Sequence, residues 1–169
     1  VFAVDTNGNL TITDSSNGAG AVKVVANDAP VYCLAGVYGN GGKLTIENGS
    51  YTADMLSNCL IYAQHENCVT VNNGNYHLGN VGTGANGSPW IFNTYGKNVT
   101  GATVNGGTFN TDINHTFWAN EVFVPETLAL KNNGDGTWTV VDAVAYAVER
   151  ATSTGSSDRN VGYATVAEA

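Results

Sequence analysis

Residues 42–51 read GKLTIENGSY: Leu44 and Ile46 flank Thr45, an Asn-Gly pair follows at 48–49, and an aromatic, Tyr51, closes the stretch. The same order of residue types returns at 68–76 as CVTVNNGNY and at 101–109 as GATVNGGTF. Aligned on the turn glycine, Gly49 and Gly74 stand 25 residues apart, and Gly74 and Gly107 stand 33 apart. A weaker copy, LTITDSS at 10–16, aligns Ser15 with those glycines, 34 residues before Gly49. Periods of about 20–50 residues mark architectures in which each repeat is one layer of a stack. The unequal intervals imply a common coil of about 25 residues with loops inserted in some turns, which stacking tolerates.

Each position of the motif has a physical task. Leu44 and Ile46, Val69 and Val71, and Ala102 and Val104 fall on one face of a strand with period two. Thr45, Thr70 and Thr103 fall on the other face, where a β-branched polar residue suits a solvated sheet. Gly49, Gly74 and Gly107 are predicted at positive φ, where the chain leaves the strand direction. Asn48 and Asn73 are expected one above the other, forming a short amide ladder. Tyr51, Tyr76 and Phe109 then make an aromatic column after the corner. A second apolar stretch precedes each copy: VYCLAG at 31–36, CLIYAQ at 59–64 and PWIFNTY at 89–95.

Strand, loop, strand, Asn-Gly corner and aromatic, repeated, predict an all-β fold: a short right-handed parallel β-helix of about four coils over residues 1–122. Successive coils of such a stack lie about 4.8 Å apart. An antiparallel sandwich is the rival, because Asn-Gly turns also build hairpins. Repetition of the whole unit favours the β-helix.

After the last copy the pattern changes. FVPETLALKNNGDGTWTVVDA at 123–143 sets two alternating segments, about 127–131 and 137–141, around NNGDG, a strong hairpin signal. Residues 123–148 are therefore predicted to be a C-terminal β-hairpin cap, with Trp138 and Phe123 plugging the apolar end of the last coil. Asn133 and Asp135 lack EF-hand spacing and read as turn residues. Residues 149–169 are expected to be a linker, ERATSTGSSDRN, followed by the start of another module.

Composition limits function. Only 12% of residues are charged, about half the usual share. The net charge of −8 and the scattered Lys23, Lys43, Lys97, Lys131, Arg150 and Arg159 argue against nucleic acid and anionic membranes. No apolar run is long enough to span a bilayer, so membrane insertion is not expected. Cys33, Cys59 and Cys68 show no zinc-ligand spacing and read as small buried hydrophobes, with a Cys59–Cys68 bridge as the alternative in an oxidising compartment.

The stretches LTIENGSY and VTVNNGNY, the closing VNGGTFNTD…FVPETLALKNNGDGTWTVV and the terminal GYATVAEA resemble a known group. They are similar to the β-helix repeat segments of large, secreted, cell-wall-associated proteins of Gram-positive bacteria, many from the gut. The resemblance covers most of residues 9–169 and is strongest from 99 onward. It implies an adhesin-like module, extracellular at the cell surface or cell wall, with neighbouring modules of the same chain as partners. Similar β-helices also occur in phage tail proteins. The first copy departs from the pattern, lacking both the corner glycine and the aromatic.

Catalysis is not expected. Polysaccharide-cleaving enzymes also use parallel β-helices, but their sites need clustered carboxylates with a base, or a carboxylate pair at a set separation. NTD at 110–112 matches one fragment of a polygalacturonase-like motif, without its companions, so Asp112 reads as a turn residue. His65, His77 and His115 are dispersed, and no nucleophile elbow or phosphate loop is present. No cofactor or metal is therefore expected. Loops at 78–89 and 110–122 bring Trp90, Tyr95, His115, Phe117 and Trp118 together in the repeat alignment. Aromatic platforms of this kind suit a glycan or host surface ligand. The leading expectation is a non-enzymatic structural or adhesive module. A fragment of a carbohydrate-active β-helix enzyme and a phage tail-fibre module are the alternatives.

Overall fold

The computed structural model describes residues 1–16, 19–25, 29–84, 87–95, 101–114, 123–149 and 159–169. These residues form an all-β solenoid in which three strands make one rung. The first rung is β1 (Phe2–Val4), β2 (Asn9–Ile12) and β3 (Ala21–Val24); the second is β4 (Val31–Val37), β5 (Lys43–Ile46) and β6 (Ser50–Ala53). The third is β7 (Leu56–Ala63), β8 (Val69–Val71) and β9 (Asn75–Leu78); the fourth is β10 (Trp90–Thr94), β11 (Ala102–Val104) and β12 (Thr108–Phe109). Four rungs span about three full turns. Every rung-to-rung pairing is parallel, giving sheets ordered β1-β4-β7-β10, β2-β5-β8-β11 and β3-β6-β9-β12.

Like residues lie over like. Leu10, Leu44, Val69 and Ala102 are register partners, as are Ile12, Ile46, Val71 and Val104. From the second rung upward these side chains are at most 1% exposed, while Leu10 and Ile12 are only partly buried at the open end. The outward column is Thr11, Thr45, Thr70 and Thr103. The aromatic column is equally regular: Tyr51 to Tyr76 is 5.2 Å between ring centroids at 11°, and Tyr76 to Phe109 is 5.0 Å at 13°.

The corner glycines have φ of 115° at Gly49, 132° at Gly74 and 117° at Gly107, as predicted. The structure adds a reason for glycine beyond φ. The Tyr51 hydroxyl folds back to donate to the Asn48 carbonyl at 2.8 Å, and Tyr76 does the same to Asn73. A Cβ on Gly74 would lie 2.9 Å from the Tyr76 hydroxyl and 2.9 Å from the Gly49 carbonyl oxygen of the rung below. The Asn-Gly-x-Tyr motif is thus one closed unit: the ring covers the glycine and satisfies the carbonyl before it.

Three expectations need correction. The amide ladder does not run through Asn48 and Asn73. It lies one residue earlier, where Asn105 donates to Asn72 at 2.9 Å and Asn72 donates to Glu47 at 2.8 Å. Position 48 instead accepts from the Asp14 amide, and position 73 from the amide of Gly74. Second, the first copy is a complete rung despite lacking an aromatic. Val22 is the register partner of Tyr51, and the corner before it is enlarged around Asp14, whose carboxylate accepts from the amides of Ser16 at 2.8 Å and Gly20 at 3.1 Å.

The third correction concerns the end of the chain. β13 (Leu128–Asn132) and β14 (Trp138–Asp142) form the expected antiparallel hairpin, with Gly134 and Gly136 at φ of 80° and 86° in its turn. Asp135 accepts from the Thr137 amide at 3.0 Å, a turn role. The hairpin joins the third sheet edge-on, pairing Phe109 with Trp138, so Trp138 remains half-buried and does not plug the core. Phe123 does: it is 4% exposed and lies 5.1 Å from Phe92. Beyond the hairpin, β15 (Ala145–Glu149) pairs antiparallel with β16 (Arg159–Tyr163); residues 150–158, the bulk of the expected linker, lie outside the described residues. Asn160 donates to Glu126 at 2.9 Å, and Gly162 lies directly against the Leu128 backbone, so this segment packs back onto the cap.

Candidate ligand-binding face

The sequence-predicted site divides. Trp90 is 5% exposed, held in register with Cys59, so its ring packs and is not presented to solvent. Tyr95 is 65% exposed. His115, Phe117 and Trp118 lie outside the described residues.

Tyr95 has company that the sequence reading did not anticipate. The outer side of the first sheet carries Tyr32, Tyr38 and Tyr62. Tyr38 stacks on Tyr62 at 5.2 Å and 29°, and Tyr32 meets Tyr62 edge-on at 5.9 Å and 72°. Tyr62 is the 8%-exposed base of the cluster, whereas Tyr32 and Tyr38 are 48% and 37% exposed. The local backbone makes room for this. β4 and β7 pair with a register shift between Val31 and Cys33, so β7 carries one extra residue there. Past that point the pairing is regular, and in β4, β7 and β10 alike two consecutive residues turn into the core: Leu34 and Ala35, Leu60 and Ile61, Ile91 and Phe92. Leu60 and Ile61, consecutive in sequence, are both in the main core, and Cys59 and Tyr62 form a separate outer cluster with Cys33. Gly36 lies beneath the Tyr38 ring, where a Cβ would come within 2.9 Å of it.

The polar partners are also built in. The Cys33 sulfur and the Tyr38 hydroxyl are 2.9 Å apart, and Asn93 donates to Asn58 at 2.8 Å. Burial pushes the Tyr62 phenol up to about 12, with the neighbouring Tyr32, Cys59, Tyr95 and Cys33 adding to the effect. Burial first, then the Cys33 contact, raises Tyr38 as well. The hydroxyls therefore stay protonated at neutral pH and can donate. Burial also raises the Cys33 and Cys59 thiols, so neither is an activated nucleophile. All three cysteines are free and buried. Cys59 is the register partner of Cys33, and it is not bridged to Cys68.

Among the described residues, no group of three or more His, Cys, Asp or Glu comes together in metal-binding geometry. Asp112 accepts from the Asn114 amide at 2.9 Å, a turn contact. Lys23 and Asp54 form an exposed ion pair at 3.2 Å. Among the described residues no helix is long and apolar enough to cross a membrane.

A signal for the tyrosine face was present in the sequence. VYCLAGVY and CLIYAQ each carry tyrosine in stretches read only as apolar columns. Strict period-two counting from Leu60 places Tyr62 inside, but Leu60 and Ile61 both turn into the core and Tyr62 faces out. Comparison with protein-family models, curated proteins and solved structures finds no match to this chain.

Proposed function

We propose that this chain is a non-enzymatic module of a secreted bacterial surface protein, a stiff stacked spacer whose tyrosine face binds glycan. The observation that supports this reading most is the exposed, mutually packed group of Tyr32, Tyr38 and Tyr62, with Tyr95 alongside. Preorganised rings lose little conformational entropy on binding, and protonated hydroxyls and neighbouring amides supply hydrogen bonds at the rim. The described strands of the first sheet carry no Lys or Arg, which favours neutral sugars over sulfated or uronic ones. Parallel stacking of rungs gives a rigid element on which such a face keeps its geometry.

A glycan array probed with the labelled module, followed by calorimetry on the strongest neutral oligosaccharide, tests the reading. Binding that falls at least tenfold in Tyr38→Ala and is unchanged in Lys131→Ala supports it. An array blank for neutral glycans, or binding indifferent to both Tyr32→Ala and Tyr38→Ala, refutes it.

A further inference from the structure

The three buried cysteines do not occupy equivalent places. Cys68 stands just before β8 and belongs to the main core inside the coils. Cys33 on β4 and Cys59 on β7 lie apart from it, on the outer side of the first sheet, in a cluster shared with Tyr62. They are register partners on successive rungs, the first pair after the shift between Val31 and Cys33. On the fourth rung the same column continues with Trp90, so the sulfur beside Cys59 is that of Cys33.

Neighbouring parallel strands lie about 4.8 Å apart, and register partners keep their Cα atoms near that distance. A disulfide spans Cα separations of about 4.4–6.8 Å. Side chains of register partners leave the sheet on the same face. Side-chain rotation and a small local adjustment therefore bring the two sulfurs together without a change of fold. A Cys59–Cys68 bridge has no such route, because one side chain faces out of the first sheet and the other into the core. Cys59 is raised by burial first and then by Cys33 beside it. The Cys33 sulfur is also 2.9 Å from the Tyr38 hydroxyl, and Cys33 is only 5% exposed.

We infer that Cys33 and Cys59 are a modification site: they form a reversible disulfide, joining the second rung to the third, when the chain folds in the presence of a small-molecule disulfide. One cysteine thiolate attacks the small disulfide, giving a mixed disulfide and releasing one small thiolate. The second cysteine thiolate attacks the protein sulfur of that bond and expels the other small thiolate. Two protein thiols lose two electrons, one small disulfide gains them, and the two cysteine protons end on the two small thiols. The exchange belongs to the folding chain, since burial in the native state keeps both thiols protonated and covered. The thiol pair is the form held in a reducing compartment and the bridge the form held in an oxidising one. Bridging removes the Cys33 proton, so the Tyr38 hydroxyl is left with a sulfur that can only accept. The oxidation state is thereby tied to the tyrosine face, whatever that face binds.

The test is refolding of the reduced full chain from urea into oxidised glutathione at pH 8, followed by alkylation with iodoacetamide and peptide mapping by mass spectrometry. At least half of the chains should carry a Cys33–Cys59 link with Cys68 alkylated, and dithiothreitol should return all three thiols. Cys68→Ser should keep the yield of the link within twofold of wild type. Cys33→Ser should abolish any internal link, leaving Cys59 alkylated or as a glutathione adduct. Matching far-ultraviolet circular dichroism of both variants and the wild type shows that the fold is intact. Three results each overturn the inference: Cys68 linked to either partner in most chains, thiols or glutathione adducts with no internal link, or an internal link persisting in Cys33→Ser. No sugar enters these measurements, so the bridge and the glycan reading of the tyrosine face fail separately.

Discussion

Gly74→Ala tests the stacking most directly. Gly74 has φ of 132°, a region L residues rarely enter, and confining alanine there costs about 1–3 kcal/mol. The added methyl also meets two fixed atoms at 2.9 Å, the Gly49 carbonyl oxygen below and the Tyr76 hydroxyl beside it. Relieving that overlap means parting two rungs or unstacking a ring, which overpacking series place at about 1–3 kcal/mol. The sum is about 2–6 kcal/mol, a fall in Tm of about 5–20 °C for a chain of this size. Gly134→Ala is the internal control, since Gly134 has φ of 80° but nothing within 4 Å of the added methyl, leaving the backbone cost alone. Urea melts followed by circular dichroism should show the midpoint falling at least twice as far for Gly74→Ala, with the slope unchanged. In a Tyr76→Phe background the cost of Gly74→Ala should shrink, because one of the two clashing atoms is gone, giving a measurable coupling. Equal losses for Gly74→Ala and Gly134→Ala would mean that the rungs are not in contact at this corner, and the account of the repeat would be wrong.

Three further outcomes follow from the same geometry. Tyr76→Phe alone leaves the Asn73 carbonyl without its 2.8 Å donor and should cost about 1 kcal/mol in the same melts. The thiols of Cys33, Cys59 and Cys68 are buried and all raised, by burial first, so a disulfide reagent should label none in the native protein at pH 8 and all three in urea; fast labelling of native protein contradicts the packing. Burial raises Tyr76 and Tyr38 and brings Tyr62 to about 12, whereas an unfolded phenol titrates near 10. The native state therefore holds protons that the unfolded chain has released, and stability present below about pH 10 is lost as pH climbs toward about 12; a flat urea midpoint between pH 9 and 11.5 refutes this.

The fold was readable because a solenoid writes its vertical neighbours into the chain at intervals. Val69 and Val71 need residues of matching size above and below, so Leu44, Ile46, Ala102 and Val104 recur in the same order, and the corner glycine recurs with them. The hairpin was readable from local turn chemistry. What escaped was set by geometry without a period. Glu47, Asn72 and Asn105 bond to one another, rather than Asn48 and Asn73, because the strand's outward direction persists one residue past its last core position. The first rung hid its membership by spending five extra residues on the Asp14 corner before Val22. The tyrosine face was concealed because Leu34 and Ala35, Leu60 and Ile61, and Ile91 and Phe92 each put two consecutive residues into the core, which breaks the period-two count. The pairing of β15 with β16 joins segments on either side of a polar, aperiodic stretch that reads as a linker and not as a hairpin turn.

Inside and outside positions of this stack answer to different constraints. An inward side chain is confined by the rung above, the rung below and the opposite sheets, so its identity is set by volume; Leu78 and Ala53 are register partners at 1% and 0% exposure. An outward side chain has neighbours only above and below, and it is free to differ from them. The threonine column uses that freedom least, repeating one residue through four rungs. The first sheet uses it most, setting Gly36, Tyr62 and Asn93 over one another so that a ring from each side can lie across the gap. Under the proposed reading, recognition is held where the repeat breaks on the outer face while the inner columns continue. The tyrosine cluster is such a place, formed where two consecutive residues of each rung turn inward and leave Tyr62 facing out.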